Sequence, residues 1–102
     1  MSDTRIIKKY PNRRLYDTGR SCYITLADVQ ALVVARVPFT VLEQRSGTDL
    51  THIVLLQVIA GLEERRPSLL TQPFLQELIR RYGSVDNHAL SRSLERALEI
   101  PG

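Results

Sequence analysis

The chain has 102 residues and a formal net charge of +3 at pH 7, and 43% of its residues are hydrophobic while 25% are charged. That length suits one compact core with at most an appended helical piece, and the composition excludes a wholly disordered chain. The single cysteine excludes an internal disulfide, no secretory leader is expected, and no apolar run approaches the ~20 residues of a membrane span, so we expect a soluble cytoplasmic protein.

Positive charge is concentrated at the N-terminus. Residues 1–20 contain six basic and two acidic side chains, six minus two, which leaves +4 there and about −1 on the other 82 residues. A basic end on a near-neutral body is typical of a protein that meets a polyanion. The six cations are Arg5, Lys8, Lys9, Arg13, Arg14 and Arg20.

The first predicted element is a β-hairpin around the segment "KKYPNRRLYDT", residues 8–18. Short strands over 5–10 and 13–17 flank Pro11 and Asn12. Proline presets φ for the second position of a turn and asparagine suits the third, so the pair predicts the turn between the strands.

The register of this hairpin decides where its charges lie. If the loop has two residues, Lys9 faces Arg14, and such a like-charge pair destabilises a sheet unless an anion lies close. A longer loop with a bulge is the alternative, because a type I turn matches strand twist poorly. The residues alone favour equally a hairpin that binds nucleic-acid phosphates and a solvated hairpin whose charges protect a sheet edge.

The next predicted elements are a strand, a helix and a second strand. Residues 21–25 predict a short strand, and Thr25 with Asp28 then forms a capping box for a helix that runs from Leu26 to about Arg36. Pro38 ends that helix, and residues 39–43 predict a further strand.

A second helix begins near Asp49 or Thr51, either of which can cap it. Its apolar residues lie on more than one face, which indicates a helix sandwiched either within its own fold or at a subunit interface. These residues are Ile53, Leu55, Leu56, Val58, Ile59 and Leu62.

Beyond Pro67, which breaks this helix, two more helices are predicted. Thr71 caps the first and Gly83 stops it, and the second runs from about Val85 to Glu99 with leucines four residues apart. We therefore predict an α+β fold: an N-terminal basic β-hairpin and small antiparallel sheet packed on helices, followed by C-terminal helices. We expect a homodimer or higher homo-oligomer, and an intramolecular core is the alternative. The predicted interface residues are Ile53, Leu56, Ile59, Leu90, Leu94 and Leu98.

Enzyme chemistry has little support in this sequence. His52 and His88 lie far apart and no zinc-type ligand spacing exists. There is no glycine-rich phosphate loop and no nucleophile elbow. Asp17, flanked by arginines, is more simply a salt-bridged structural group than a catalytic acid. We expect neither catalysis nor a metal or other cofactor.

Three segments together carry a family resemblance. They are "RIIKKYPNRRLYDT" from Arg5, "SCYITLADV" from Ser21 and "SGTDLTHIVLLQVI" from Ser46. They resemble the N-terminal DNA-binding domain of the polyhydroxyalkanoate (polyhydroxybutyrate) synthesis or accumulation regulators, over about the first sixty residues. The chain departs from the family pattern at Ala35-Arg-Val-Pro38, where relatives often carry a glycine, and at Ser46–Thr51, which lacks one acid.

The resemblance implies a bacterial cytoplasmic transcriptional repressor that binds the promoters of granule-coat (phasin) genes. It also implies association with the polyester granule, whose nascent polymer titrates the repressor from DNA. Residues 1–66 would then form the DNA-binding domain, and residues 67–102 a helical extension for oligomerisation or for contact with a granule or partner. An interaction module without sequence-specific DNA binding is the alternative.

The predicted DNA contacts follow from charge. We expect phosphate contacts from Lys8, Lys9 and Arg20, and base reading by Arg13 or Arg14 together with Asn12. Tyrosine hydroxyls between the charges add hydrogen-bonding groups. The full predicted set is Lys8, Lys9, Tyr10, Asn12, Arg13, Arg14, Tyr16 and Arg20.

Overall fold

A computed structural model describes residues 4–65, 67–82 and 87–99. Within these ranges the chain forms four strands and four helices, which confirms the predicted α+β class. In chain order they are β1 (Arg5–Lys9), β2 (Leu15–Asp17), β3 (Cys22–Ile24), α1 (Leu26–Val34), β4 (Phe39–Glu43), α2 (Thr51–Glu63), α3 (Gln72–Arg81) and α4 (Asn87–Ala97). The chain divides into two compact units, Met1–Pro67 and Ser68–Gly102.

The four strands form one mixed sheet in the order β3-β2-β1-β4. β1 pairs with β2 and β2 with β3 in antiparallel fashion, whereas β4 runs parallel to β1. The expectation of an antiparallel sheet is therefore wrong for one pair, because the chain crosses back through α1 before β4 joins β1. The basic hairpin is consequently built into the sheet, with a neighbouring strand on each side.

The hairpin has the longer of the two loops considered. Lys9 lies opposite Leu15 and Lys8 opposite Tyr16. The Tyr10 N–H donates to the Arg14 carbonyl over 2.9 Å, so the loop has three residues, and the last of them, Arg13, is left-handed with φ 67°. The prediction that Lys9 faces Arg14 is thus wrong, because the extra loop residue shifts the strand register by one.

The core of the first unit lies between one face of the sheet and the helices α1 and α2. Side chains alternate along a strand, so Ile7 and Leu15 point to the helices while Lys8 and Tyr16 point to the opposite face. The buried apolar side chains are Ile7, Leu15, Ile24, Val29, Val41, Val54 and Val58.

Helix α1 is closed at both ends by local motifs. The predicted capping box is confirmed: the Asp28 N–H donates to Thr25 Oγ1 over 3.3 Å, and the Thr25 N–H donates to Asp28 Oδ2 over 2.8 Å. At the other end the Arg36 N–H donates to the Val33 carbonyl and the Val37 N–H to the Leu32 carbonyl. This is the Schellman arrangement, and it places Arg36 at φ 58°, a left-handed conformation that favours glycine.

Helix α2 begins differently from the prediction. Its N-cap is Leu50, and neither Asp49 nor Thr51 occupies that position. The Thr51 hydroxyl instead accepts the Val41 N–H of β4 over 2.8 Å, while Asp49 Oδ1 accepts the Thr51 N–H over 2.9 Å. The first of these bonds joins the start of α2 to the sheet, and the second fixes the turn just before the helix.

Only one side of α2 is buried within the described part of the first unit. Val54 and Val58 enter the core, whereas Ile53, Leu56 and Ile59 are 49%, 53% and 46% exposed. The sandwiched environment predicted for this helix is therefore not supplied by the described residues of its own unit.

The second unit contains the two predicted C-terminal helices. The Thr71 hydroxyl caps α3 by accepting the Phe74 N–H over 3.2 Å, as predicted. The stop at Gly83 and the start near Val85 lie outside the described residues. Neither α3 nor α4 buries a described side chain fully. No described helix is long and apolar enough to cross a membrane.

Candidate nucleic-acid interface

The N-terminal cations differ in how they are neutralised. Arg5 forms an ion pair with Asp17 at 3.4 Å, and the Asp17 side chain is only 1% exposed. Within the described ranges, none of the other five cations has a carboxylate within ion-pair distance. These five are Lys8, Lys9, Arg13, Arg14 and Arg20. Among the described residues no ion pair therefore neutralises the charge of these five side chains.

Asp17 is a structural group, as its sequence context indicated. Its Oδ1 accepts the N–H of Gly19 over 2.9 Å and that of Arg20 over 3.3 Å. These bonds fix the turn between β2 and β3, and a Cβ added at Gly19 would lie only 3.0 Å from Arg5 Nε. Asp17 thus accepts hydrogen bonds from the turn and pairs with the Arg5 charge at the same time. These contacts fix the backbone at Arg20.

The face of the sheet opposite the core is open and carries both cations and tyrosines. We call it the outer face; it comprises Ile6, Lys8, Tyr10, Arg14, Tyr16, Tyr23, Thr40 and Leu42. Leu42, Lys8, Tyr16 and Tyr23 form one row across all four strands. No side chain of the outer face is buried. A row of this kind offers a positive, hydrogen-bonding surface to a flat or grooved partner.

An aromatic cluster lies on the outer face near the hairpin loop. The Tyr23 ring packs edge-on against Tyr16, with centroids 5.3 Å apart, and its centroid is 6.4 Å from that of Tyr10. The guanidinium carbon of Arg14 lies 4.1 Å from the Tyr23 centroid, a cation–π contact. The cluster therefore links β2 and β3 with Tyr10 and Arg14, the two residues that flank the hairpin loop.

The structure brings together some of the predicted contacts and separates others. Lys8, Tyr10, Arg14 and Tyr16 share the outer face. Lys9 shares the alternation of Ile7 and lies at the edge of the inner face. Arg20 stands in the turn at the opposite end of β2 from the hairpin loop.

Two loop residues have local roles as well. Asn12 Oδ1 accepts the Arg14 N–H over 3.1 Å, so this oxygen shapes the loop and only the amide NH2 of Asn12 remains to donate. Arg13 holds the left-handed position of the same loop. Its side chain is exposed.

Tyr23 was not predicted as a site residue. The sequence indicated its strand but gave no partner for that strand. Once β3 pairs with β2, Tyr23 lies directly opposite Tyr16. Inward- and outward-facing side chains alternate in step along β2 and β3, and this pattern indicates that the two tyrosines face each other. It does so only once the pairing of the two strands is known.

A recess of about 480 Å³ lies beside the hairpin loop. Lys9, Arg13 and Arg14 line it together with apolar side chains of the sheet and of α1. Its lining contains no carboxylate, histidine or cysteine. No group of three or more His, Cys, Asp or Glu side chains suited to a metal ion occurs among the described residues.

The carboxyl groups with lowered pKa values lie at helix ends and on a helix surface. Hydrogen bonds from Thr25 lower the pKa of Asp28, and those from Thr51 lower the pKa of Asp49. Hydrogen bonds from Arg81 and Arg80 lower the pKa of Glu77. Each shift is explained by a structural contact outside the basic hairpin.

Comparison with known families gives a match over the first unit. A family model described as "PHB/PHA accumulation regulator DNA-binding domain" matches residues 6–66. That range contains nearly all of β1 and the whole of β2, β3, α1, β4 and α2. The open basic face therefore lies inside the matched region.

Two curated relatives are similar along almost the whole chain. An "Uncharacterized protein" of Allochromatium vinosum is 45% identical over 100 residues, which is 98% of this chain and 65% of the relative. An "Uncharacterized protein in phbA 5'region" of Thiocystis violacea is 43% identical over 100 residues, 98% of this chain and 72% of the relative. This chain thus spans about two thirds of the length of these relatives. No solved structure matches it.

Proposed function

The chain belongs to the PHB/PHA accumulation regulators, whose DNA-binding domain it contains, and from this premise we propose that it represses the genes of polyhydroxyalkanoate granule-associated proteins, the phasins. Repression would occur by occupancy of promoter DNA in the bacterial cytoplasm. Association with the polymer, polyhydroxybutyrate or a related polyester, would release the protein from DNA.

The observation that carries the DNA-binding part is a set of cations inside the family match that form no ion pair with any described residue. Five basic side chains within thirteen residues repel one another and gain no compensating carboxylate within the described residues. Phosphates of a nucleic acid would compensate them and release counterions, which converts the repulsion into salt-sensitive affinity.

We assign different tasks to these cations. Lys8, Lys9 and Arg20 would contact phosphates, which position the protein without reading sequence. Arg14 on the outer face or Arg13 in the loop would read base edges, with the amide NH2 of Asn12 as a further donor. Tyr10 and Tyr16 would donate hydroxyl hydrogen bonds beside them.

Self-association would extend the recognised sequence. One short sheet face addresses few base pairs, whereas a two-fold dimer addresses two half-sites. The exposed face of α2, with Ile53, Leu56 and Ile59, supports this proposal, and so does the apolar spacing of α4. The residues proposed for the interface remain Ile53, Leu56, Ile59, Leu90, Leu94 and Leu98.

We assign polymer sensing or further self-association to residues 67–102 and DNA binding to residues 1–66. In support, Ile79 of α3 is 69% exposed and Leu98, just beyond α4, is 74% exposed. A contiguous exposed apolar patch usually marks a contact site, and we propose that these side chains belong to one. A granule surface or a second copy of the chain would cover them.

A second candidate function rests on the same exposed side chains. The chain would act as a granule- or protein-interaction module, and the basic hairpin would only keep it dispersed. A chain that ends at Pro67 separates the two functions when it is fused to an unrelated dimerisation domain. Specific DNA binding by the fusion supports the regulator, and its absence supports the interaction module.

Release by polymer is tested on a preformed complex. The protein is bound to a labelled promoter fragment of a phasin-type gene, and polyhydroxybutyrate granules are added while the free DNA is measured. Polystyrene particles of equal surface area serve as the control. We expect release by the polyester alone; DNA that stays bound, or release by both particles, would overturn this part of the proposal.

A further inference from the structure

We propose that Tyr23 positions Arg14 for DNA recognition and is thereby a specificity-determining residue of the outer face. The inference rests on the proposed DNA-binding function and deepens it. Nothing in the basic motif itself indicates this role, because Tyr23 lies on β3, outside the hairpin that carries the charge.

The backbone and the side chain of Arg14 are held by different contacts. Its backbone is fixed on both sides, since its N–H donates to Asn12 Oδ1 over 3.1 Å and its carbonyl accepts the Tyr10 N–H over 2.9 Å. Within the described residues its guanidinium has neither an ion pair nor a hydrogen bond. Its contact with the Tyr23 ring, at 4.1 Å, is therefore its principal restraint.

The contact with Tyr23 would order the Arg14 side chain before DNA binds. A free arginine side chain loses substantial rotamer entropy when it is immobilised on a partner, and ordering it beforehand reduces that loss. A ring contact does so without placing a carboxylate beside the guanidinium, so the full positive charge and the hydrogen-bond donors remain for DNA. Arginine in such a state suits bidentate contact with a guanine edge.

Tyr23 is itself held by two neighbouring tyrosine rings. Tyr16 lies edge-on against it and Tyr10 is tilted beside it, at 5.3 and 6.4 Å between centroids. Tyr23 is nevertheless 51% exposed, so the stack with Arg14 stands at the surface where DNA can reach it. The ring already contacts Arg14, Tyr10 and Tyr16. This arrangement favours a surface that presents a cation to duplex DNA over one on which unpaired bases stack.

A purely structural role for the cluster predicts something different. In that case removal of the ring would weaken the fold, and its effect on DNA binding would be independent of Arg14. A positioning role predicts that the ring matters only while Arg14 is present. A double-mutant cycle separates these two cases.

The experiment compares Tyr23→Leu, Tyr23→Phe, Arg14→Ala and the double variant Tyr23→Leu/Arg14→Ala. Fluorescence anisotropy gives the affinity of the full chain for a duplex selected from a random pool by the parent protein, and for unselected random duplex. Thermal unfolding of each variant verifies the fold. Arg20→Ala, combined with Tyr23→Leu, is the matched control because Arg20 lies at the other end of β2.

We expect Tyr23→Leu to weaken binding to the selected duplex by about two- to fivefold, because this is the fold-change that corresponds to the loss of an exposed cation–π contact. Binding to random duplex should change much less. Tyr23→Phe should retain most of the affinity because it keeps the ring. The loss should nearly vanish in the Arg14→Ala background and persist in the Arg20→Ala background.

The outcomes distinguish this inference from the proposed function. If the parent selects no duplex over random DNA, the proposed function fails and the inference fails with it. If the parent does select one but Tyr23→Leu binds it as well as the parent does, the inference alone is overturned. Equal losses in the Arg14→Ala and Arg20→Ala backgrounds would also overturn it.

Discussion

Arg14 lies at the centre of the proposed recognition surface. It shares the outer face with Lys8 and lies over Tyr23, while Asn12 fixes its backbone. An arginine that reads a base edge contributes to specificity, whereas one that contacts phosphate contributes to affinity for any sequence. The two roles have different signatures in a variant.

Replacement of Arg14 by alanine should therefore cost about 1–3 kcal/mol in specific binding and relax the sequence preference. Competition titrations with specific and random duplexes measure both quantities. Arg20→Ala is the comparison, because a phosphate contact should weaken binding to both duplexes alike. An Arg14→Ala protein that binds its specific duplex as tightly as the parent would refute the assignment.

Sequence reasoning at the residue scale succeeded where the cause is local. Asp17 was expected to be a salt-bridged structural group, and its contacts with Arg5 and the following turn show that role. Tyr23 was missed because the role proposed for it depends on the pairing of β3 with β2, which was not predicted from the sequence. The left-handed conformation of Arg13 was missed because arginine carries no preference for it.

Helix α1 is the element whose two ends carry the clearest local chemistry. Arg36 occupies the position after its C-cap with φ 58°, where a side chain costs conformational energy and glycine does not.

Arg36→Gly should raise the free energy of unfolding by up to about 1 kcal/mol, because it removes this strain and keeps the Schellman hydrogen bonds. Urea unfolding of the parent and variant measures the difference. Arg36→Ala is the matched control: it removes the charge but keeps a Cβ, so it should give no such gain. Equal stabilisation by both variants would show that the charge, and not the backbone, is responsible.

We expect the capping box of α1 to make stability depend on pH. Hydrogen bonds from Thr25 lower the pKa of Asp28 below its ordinary value of 3.8. A lowered folded-state pKa stabilises the fold above that ordinary value, and the stabilisation is lost as the pH falls through the lowered value.

The parent should therefore lose stability on acidification below about pH 4 more steeply than Asp28→Asn, which has no carboxylate to protonate. Unfolding midpoints measured between neutral and strongly acidic pH give the two profiles. The difference between them isolates Asp28 from the other carboxyl groups. Parallel profiles would show that the capping box does not contribute to the pH dependence.

At the element scale, the sequence predicted the strands and helices well but not their long-range pairing. The run Phe39–Glu43 was recognised as a strand from its composition and the proline before it. Its parallel pairing with β1 was not predicted, because the residues of a strand do not indicate which other strand it pairs with. The three-residue hairpin loop was only the alternative prediction, because Pro11 and Asn12 suit a two-residue turn and only the strand twist favours a longer loop.

The whole molecule leaves apolar surface on each of its two units. On α2 the exposed residues Ile53, Leu56 and Ile59 follow one another at spacings of three, and they form a ridge that a second copy would cover. This ridge lies within the family match, so its role would belong to the DNA-binding part of the chain.

Leu56→Glu should shift the protein toward monomer and weaken its binding to a two-half-site operator, because a charge at a self-associating surface is buried twice. Sedimentation velocity gives the oligomeric state. Gln76→Glu adds the same charge at an exposed polar position and should leave the state unchanged. A parent that is already monomeric at working concentrations would contradict the proposed interface.

The main proposal is that the N-terminal cations that have no ion pair among the described residues bind specific promoter DNA. Its most direct test is an anisotropy titration of the full chain against promoter fragments of phasin-type genes, at two salt concentrations and with random DNA as competitor. We predict binding that survives the competitor, with an affinity whose logarithm falls with that of the salt concentration by about 0.9 for each phosphate neutralised. Binding no tighter than that to random DNA would contradict the claim.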